Sequence, residues 1–375
     1  MTARARAMKA EGKPVLSFAA GEPDFNTPDQ ICEAGIDAIR KGQTKYTASS
    51  GTPELKQAIL DMLIRRHGVQ GKPSEIVVSC GAKHSIYNAL MTLCDPGDEV
   101  LLIAPFWMTY ADQVRLAGAT PVLLHTTADS GFCPSLDEVK DALTPRTKAI
   151  ILNSPSNPTG AVLPAAFVQG VANLAVAHDF WMISDEIYEY LLYGAEHQSV
   201  LTCGEEARQR TVWVSGCSKT YSMTGWRIGY AWAPAAVATA MSNLQDQVTS
   251  NPTSFAQAGA VAALKMPDNE IETMRSEFAA RRELVMDLLQ QIPGMKVARP
   301  QGAFYAFPDV SAFLGGRFED DAVLADALLD EKYVAVVPGS VFYGPGHLRL
   351  SYAASRADLE EGIGRIHEFL TQIPR

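Results

Sequence analysis

Between residues 75 and 235 the chain alternates short, β-branched apolar runs with stretches of helix length. The runs are EIVVSC (75–80), EVLLIAP (99–105), PVLLHT (121–126), KAIILNSP (148–155), FWMISDE (180–186), TVWVSG (211–216) and RIGYAWAP (227–234). Several are apolar at consecutive positions, as central strands covered by helices on both faces must be. Helix-length spacers imply crossover connections, hence an α/β fold with a doubly wound, mostly parallel sheet of seven strands. RIGYAWAP follows its predecessor too closely for a crossover and is expected to run antiparallel. Beyond about residue 250 the rhythm changes. A charged helical pattern at 268–291 leads to short runs KVARP, FYAFP, VAVVP and LRLSYA, then a closing helix at 356–371. The expected division is a segment 1–30 packing with the smaller unit, a large sheet domain 31–267, and a smaller α+β domain 268–375.

Composition narrows the function. With 47% hydrophobic and 20% charged residues the chain can bury a large core, which excludes disorder. A net charge of −10 argues against a nucleic-acid partner, which needs clustered Lys and Arg. No apolar run reaches the ~18–20 residues of a membrane span. The six cysteines show no CxxC spacing and the seven histidines no HxxxH, so neither a disulfide framework nor a metal site is expected. The start, MTARARAMKAEGKPVLSF, lacks the apolar stretch of a secretory signal and reads as a helix entering the fold. A cytoplasmic protein is expected.

Ligands of open α/β sheets bind beyond the carboxyl ends of the strands, so the polar residues there are the ones to read. Lys219 follows a buried strand, with Arg227 eight positions later. A desolvated lysine beside another cation has a lowered pKa and attacks carbonyls; the plain alternative is a solvated loop lysine. Asp185 ends a buried strand and needs a cationic partner or several hydrogen bonds, unless it only caps a helix. Gly81-Ala82-Lys83 opens a helix whose N-terminal N–H groups suit a phosphate. Arg227 could fork onto the same anion or form a structural ion pair. In NSPSNPTG (153–160) the prolines stiffen a turn that carries Asn157. Trp107 could be core, or a stacking face for a flat heterocycle.

Together SPSNPTG, SDEIYEYLLY, SGCSKTYSMTGWRIGY and GHLRLSYA resemble the fold-type I pyridoxal-phosphate aminotransferases, closest to the bacterial-type aspartate/prephenate branch of class I. The likeness runs from FAAGEPDFNTP (18–28) to the Arg349 segment. It implies the PLP-dependent transferase-like fold and pyridoxal 5′-phosphate as cofactor. By resemblance, Lys219 is the catalytic lysine that carries the cofactor, and Asp185 pairs with its ring nitrogen. Tyr188 and Asn157 hold the ring oxygen and Trp107 stacks on the ring. Gly81, Ala82, Ser218 and Arg227 form the phosphate cup. Tyr46 is lent by the neighbouring subunit, which implies a homodimer with a shared site. Arg349 clamps the substrate α-carboxylate beside Gly21 and Asn157.

Lys83 matches a lysine that reaches the distal carboxylate of a dicarboxylic amino acid. The expected reaction is ping-pong transamination between aspartate or glutamate and 2-oxoglutarate or oxaloacetate. Prephenate, aromatic or kynurenine transamination is an alternative, with Phe106, Trp107 and Tyr110 as an apolar wall. A carbon–sulfur β-lyase has no use for Lys83, and a ligand-sensing domain would accompany a DNA-binding module. Two departures from the family stand out. Met1 falls almost at the first helix, where relatives carry a further arm, and Gly216 stands where some place a phosphate-binding Ser.

Overall fold

All seven runs join one sheet in the computed structural model, which describes residues 1–372. After a short strand β1 (Leu16–Ser17) come β2 (Ile76–Ser79), β3 (Glu99–Ala104), β4 (Thr120–His125), β5 (Thr147–Asn153), β6 (Trp181–Asp185), β7 (Thr211–Gly216) and β8 (Gly229–Trp232). The spatial order is β2-β8-β7-β6-β5-β3-β4. Neighbours are parallel except β8, which runs antiparallel to both β2 and β7. The short gap before RIGYAWAP is the reason: it leaves room for a return, not a crossover.

Alternation along each strand divides the core in two. Val100, Leu102 and Ala104 pack on one face with Ile86, Leu90, Tyr110 and Val114 of helices Ala82–Leu93 and Thr109–Leu116. Leu101, Ile150, Met182 and Trp213 pack on the other, against Leu55, Ile59 and Leu63 of helix Pro53–His67 and Val168 and Val171 of helix Ala165–His178. Each run is apolar throughout because each face has its own cover.

Beyond the 23-residue helix Asp268–Gln290 lie β9 (Tyr305–Ala306), β10 (Val334–Ala335), β11 (Val337–Pro338) and β12 (Leu348–Ser351). The last three-stranded sheet is antiparallel, in the order β11-β12-β9. KVARP does not become a strand. It makes one isolated bridge, Lys296 to Asp309, and its terminal proline has no N–H for a ladder. β1 pairs in parallel with β10, Leu16 opposite Val334. The first helix, Thr2–Ala10, lies on the same unit: Ala5 is buried with Leu329 and Ala335, and Arg4 bonds Asp326 at 2.8 Å and also Asp330. No helix among the described residues is long and apolar enough to cross a membrane.

Candidate active site

The carboxyl ends of the parallel strands open on a cavity of about 500 Å³. Gly21, Ala82, Lys83, Trp107, Asn157, Asp185, Tyr188, Ser218, Lys219, Arg227 and Arg349 all line it. Gly81 stands just behind the wall. Tyr46 lies elsewhere, 91% exposed.

Asp185 ends β6 and is buried. It accepts hydrogen bonds from the Tyr110 hydroxyl at 2.7 Å and the Ile187 N–H at 3.2 Å. Burial pushes its carboxyl up to about 6, against those two bonds and the attraction of Lys219. Tyr110 does line the cavity, as the aromatic alternative supposed, but that reading left out its polar end. Its hydroxyl serves Asp185.

Lys219 follows β7 and donates to the Gly21 carbonyl. Its amine is lowered to about 8, first by burial; Glu22 opposes the shift and Arg349 reinforces it. The desolvation expected of a carbonyl-attacking lysine is therefore present, with burial outweighing the neighbouring cations.

One end of the cavity is a cradle. Gly81, at φ +89°, precedes helix Ala82–Leu93, so the helix N-terminus faces the cavity. A Cβ on Gly81 would stand 2.4 Å from Arg227 Nη2. Arg227 itself adopts a left-handed backbone, φ +58°, which few non-glycine residues do. Its guanidinium bonds the carbonyls of Thr224 at 3.0 Å and Cys80 at 3.2 Å. Ser218 lies beside it. A compact anion fits here, and a side chain at residue 81 would displace the guanidinium of Arg227.

Across the cavity Arg349 reaches in from β12. Its Nη1 donates to Asn157 Oδ1 at 2.9 Å and its Nη2 to the Ala19 carbonyl at 3.0 Å, while its plane lies over Tyr305. The group is buried, which lowers its pKa, and its Nε has no hydrogen-bond partner. Among the described residues no carboxylate pairs with it. A buried guanidinium in that condition calls for an anion. Asn157 is placed by Asn153, whose Oδ1 accepts its N–H at 2.9 Å. Lys83 Nζ sits 4.7 Å from the Trp107 ring centroid, its pKa lowered by burial and then by Arg227.

Sequence reasoning missed several wall residues. Asn153 and Tyr305 lie inside quoted runs, NSPSNPTG and FYAFP, and could have been found there. Tyr305 meets the Tyr188 hydroxyl at 2.9 Å. Thr2, Arg6 and Glu22 also lie in quoted runs, MTARARAMKAEGKPVLSF and FAAGEPDFNTP, but nothing in those runs assigned them to a site.

These residues fit pyridoxal phosphate group by group: a cradle for a phosphate, a carboxylate for a ring nitrogen, a lowered amine for a carbonyl. Comparison with known proteins gives the family. Residues 13–366 match the family described as aminotransferase class I and II. A probable aspartate/prephenate aminotransferase of Aquifex aeolicus is 48% identical, over 100% of this chain and 95% of its own. The aspartate aminotransferase of Bacillus sp. strain YM-2 is 45% identical over 99% and 95%. The crystal structure of the Rhizobium meliloti aspartate aminotransferase superposes with a TM-score of 0.95 at 41% identity, covering 100% and 95%. That of Thermus thermophilus with maleate gives 0.93 at 40%, covering 98% and 94%. The chain belongs to the class I and II aminotransferases.

Proposed function

We propose that the protein is a pyridoxal-phosphate-dependent aminotransferase that moves the amino group between aspartate or glutamate and a 2-oxo acid. The observation that carries this reading is the cavity itself: Lys219, Asp185 and Arg349 converge in it, and Arg349 has no anionic partner among the described residues. Pyridoxal phosphate, when bound, supplies the carbonyl that captures the amino group and the ring that accepts the electrons of the broken Cα–H bond.

The chain does the rest. The Gly81-Ala82 helix start, Ser218 and Arg227 hold the phosphate. Asp185, oriented by Tyr110, would keep the ring nitrogen protonated, Asn157 and Tyr188 would hold the ring oxygen, and Trp107 would cover the ring. Lys219 would anchor the cofactor, and its free amine would carry the proton on and off Cα as general base and acid. Arg349 grips the α-carboxylate in a fork, with Asn157 and Gly21 beside it, and so fixes which Cα bond faces the ring. One amino acid leaves as its oxo acid, taking its oxygen from water, and a second oxo acid leaves as an amino acid.

Lys83 would meet the distal carboxylate. Two relatives support that choice: the Bacillus protein is named an aspartate aminotransferase, and the Thermus one was solved with maleate, a dicarboxylate. Prephenate is a second substrate worth testing, because the Aquifex relative is named for it and the same cation would receive its extra carboxylate. Tyr46, exposed here, is assigned to the site of a second copy in a homodimer. Segment 1–30 and residues 268–375 are taken as one small domain beside the large domain 31–267. Six free cysteines suit the reducing cytoplasm.

The test is an absorption spectrum of cofactor-supplemented protein before and after aspartate. Loss of the cofactor's yellow band with aspartate, but barely with alanine, supports the reading. A yellow protein indifferent to aspartate would overturn the substrate, and a protein that binds no chromophore would overturn the activity.

A further inference from the structure

Of the five cations lining the cavity, Arg6, Lys83, Lys219, Arg227 and Arg349, the proposed chemistry uses four. Arg6 is left over. It belongs to helix Thr2–Ala10, which is fixed in its rotation about its own axis. Ala5 is buried against Leu329 and Ala335, with Met1 and Met8 packed beside it. Arg4 is tied to Asp326 and Asp330. That anchoring turns the adjoining stripe, Thr2 and Arg6 one turn apart, onto the cavity. Arg4 is neutralised twice over. Arg6, two positions on, is exposed and has no hydrogen bond or ion pair among the described residues. Glu22, an acid of the same wall, is bonded to Thr224 at 2.9 Å.

We infer that Arg6 is a specificity-determining residue that, with Lys83, receives the distal carboxylate of a dicarboxylic substrate. The inference rests on the aminotransferase reading above. The two cations differ in what they offer. Lys83 is a point charge held over Trp107, whereas a guanidinium presents a planar fork that can engage both oxygens of a carboxylate. A carboxylate between them is paired from two sides, and a neutral side chain gains nothing from either. The cavity thereby discriminates by charge among amino-acid side chains. Arg6 reaches it from a helix anchored to the C-terminal unit, and Lys83 from the helix that follows β2.

The experiment uses the holoenzyme and its Arg6→Gln and Arg6→Lys variants. Binding of succinate, a dicarboxylate with no amino group to transfer, is measured by calorimetry, and KM and kcat are measured for aspartate and for tyrosine. Arg6→Gln is expected to weaken succinate and raise KM for aspartate by about tenfold, with kcat and the constants for tyrosine little changed. Arg6→Lys, which keeps the charge but not the fork, is expected to recover part of the loss. Unchanged succinate binding in Arg6→Gln would overturn the inference, as would equal losses for aspartate and tyrosine, which would make Arg6 a support for its helix. Wild-type holoenzyme that itself fails to bind succinate would overturn the dicarboxylate reading and this inference with it. That failure is distinguishable because it precedes any substitution.

Discussion

Asp185 and Glu186 are consecutive residues, both buried, and they face opposite sides of the sheet. Asp185 turns to the Tyr110 side and the cavity. Glu186 turns to the side of Trp213 and helix Pro53–His67. Burial alone pushes both carboxyls up. For Glu186 the charge and hydrogen bond of His197, with His67 behind it, reverse the shift and hold the group below its ordinary range. Glu186 accepts from His197 at 2.8 Å, Ser184 at 2.9 Å, and the Ser199 hydroxyl and Val200 N–H at 3.2 Å each. Glu189 pairs with His67 at 3.0 Å beside it. Asp185 has one hydroxyl, one N–H and a more distant amine, and its carboxyl stays raised at about 6. One carboxylate brings its partners within the chain. The other is left short of a cation, which is the condition of a binding site.

The largest effect should come from removing the cation nearest Asp185. Lys219→Ala is expected to lower turnover about 10⁴-fold while cofactor still binds without a covalent link, as a spectrum and stopped-flow rates would show. Retained activity would remove Lys219 from the mechanism. Next, Asp185→Asn should cut turnover about 10³-fold yet stabilise the cofactor-free protein by roughly 1–3 kcal/mol at pH 7, because an ionised carboxylate no longer has to be buried. Denaturant titration of the apo-protein decides it, and a destabilised variant would mean Asp185 is a structural residue after all. Glu186→Gln should do the reverse, destabilising by about 3 kcal/mol because His197 loses the carboxylate it is paired with. Equal behaviour of the two variants would dissolve the contrast.

The smallest effect concerns pH. Burial lowers the His67 and His197 pKa values, but Glu189 and Glu186 more than compensate, so both are raised above the ordinary 6.5. Their contribution to stability is full below 6.5 and is lost as pH rises through the raised values. That of Glu186, lowered from 4.5, is full above 4.5 and lost as pH falls through the lowered value. The cluster should therefore stabilise most between these limits. The stability gap between wild type and His197→Gln should shrink as pH rises from 6 to 9. A gap independent of pH would show that the histidine only fills space.

The legible part of this molecule is local in sequence. SGCSKTYSMTGWRIGY carries its strand, lysine, arginine and antiparallel return within twenty residues, and NSPSNPTG carries Asn153 and Asn157 in one turn. Contacts formed by tertiary packing were not legible. Tyr110 meets Asp185 only because β3 and β6 flank β5, and nothing near FWMTY announces a hydroxyl partner. The histidines showed no metal-like spacing. Yet His67 brings a donor atom within 4.8 Å of Glu186 and Glu189, because a helix end and a strand end meet beneath the sheet. KVARP looked like a strand by its alternation and was stopped by its proline.

The pairing of β1 with β10 also sets a timetable. Leu16 is made roughly three hundred residues before Val334, its partner. At about 5–20 residues per second the ribosome keeps them apart for tens of seconds. During that interval the seven strands from Ile76 to Trp232 can all emerge and pair, while the N-terminal strand has nothing to join. Arg349 appears later still and closes on Asn157 and Ala19, segments that have long been waiting. The cavity is thus completed only after its other walls have emerged, and a nascent polypeptide stalled before that point would hold Lys219 and Asp185 without the guanidinium of Arg349 opposite them.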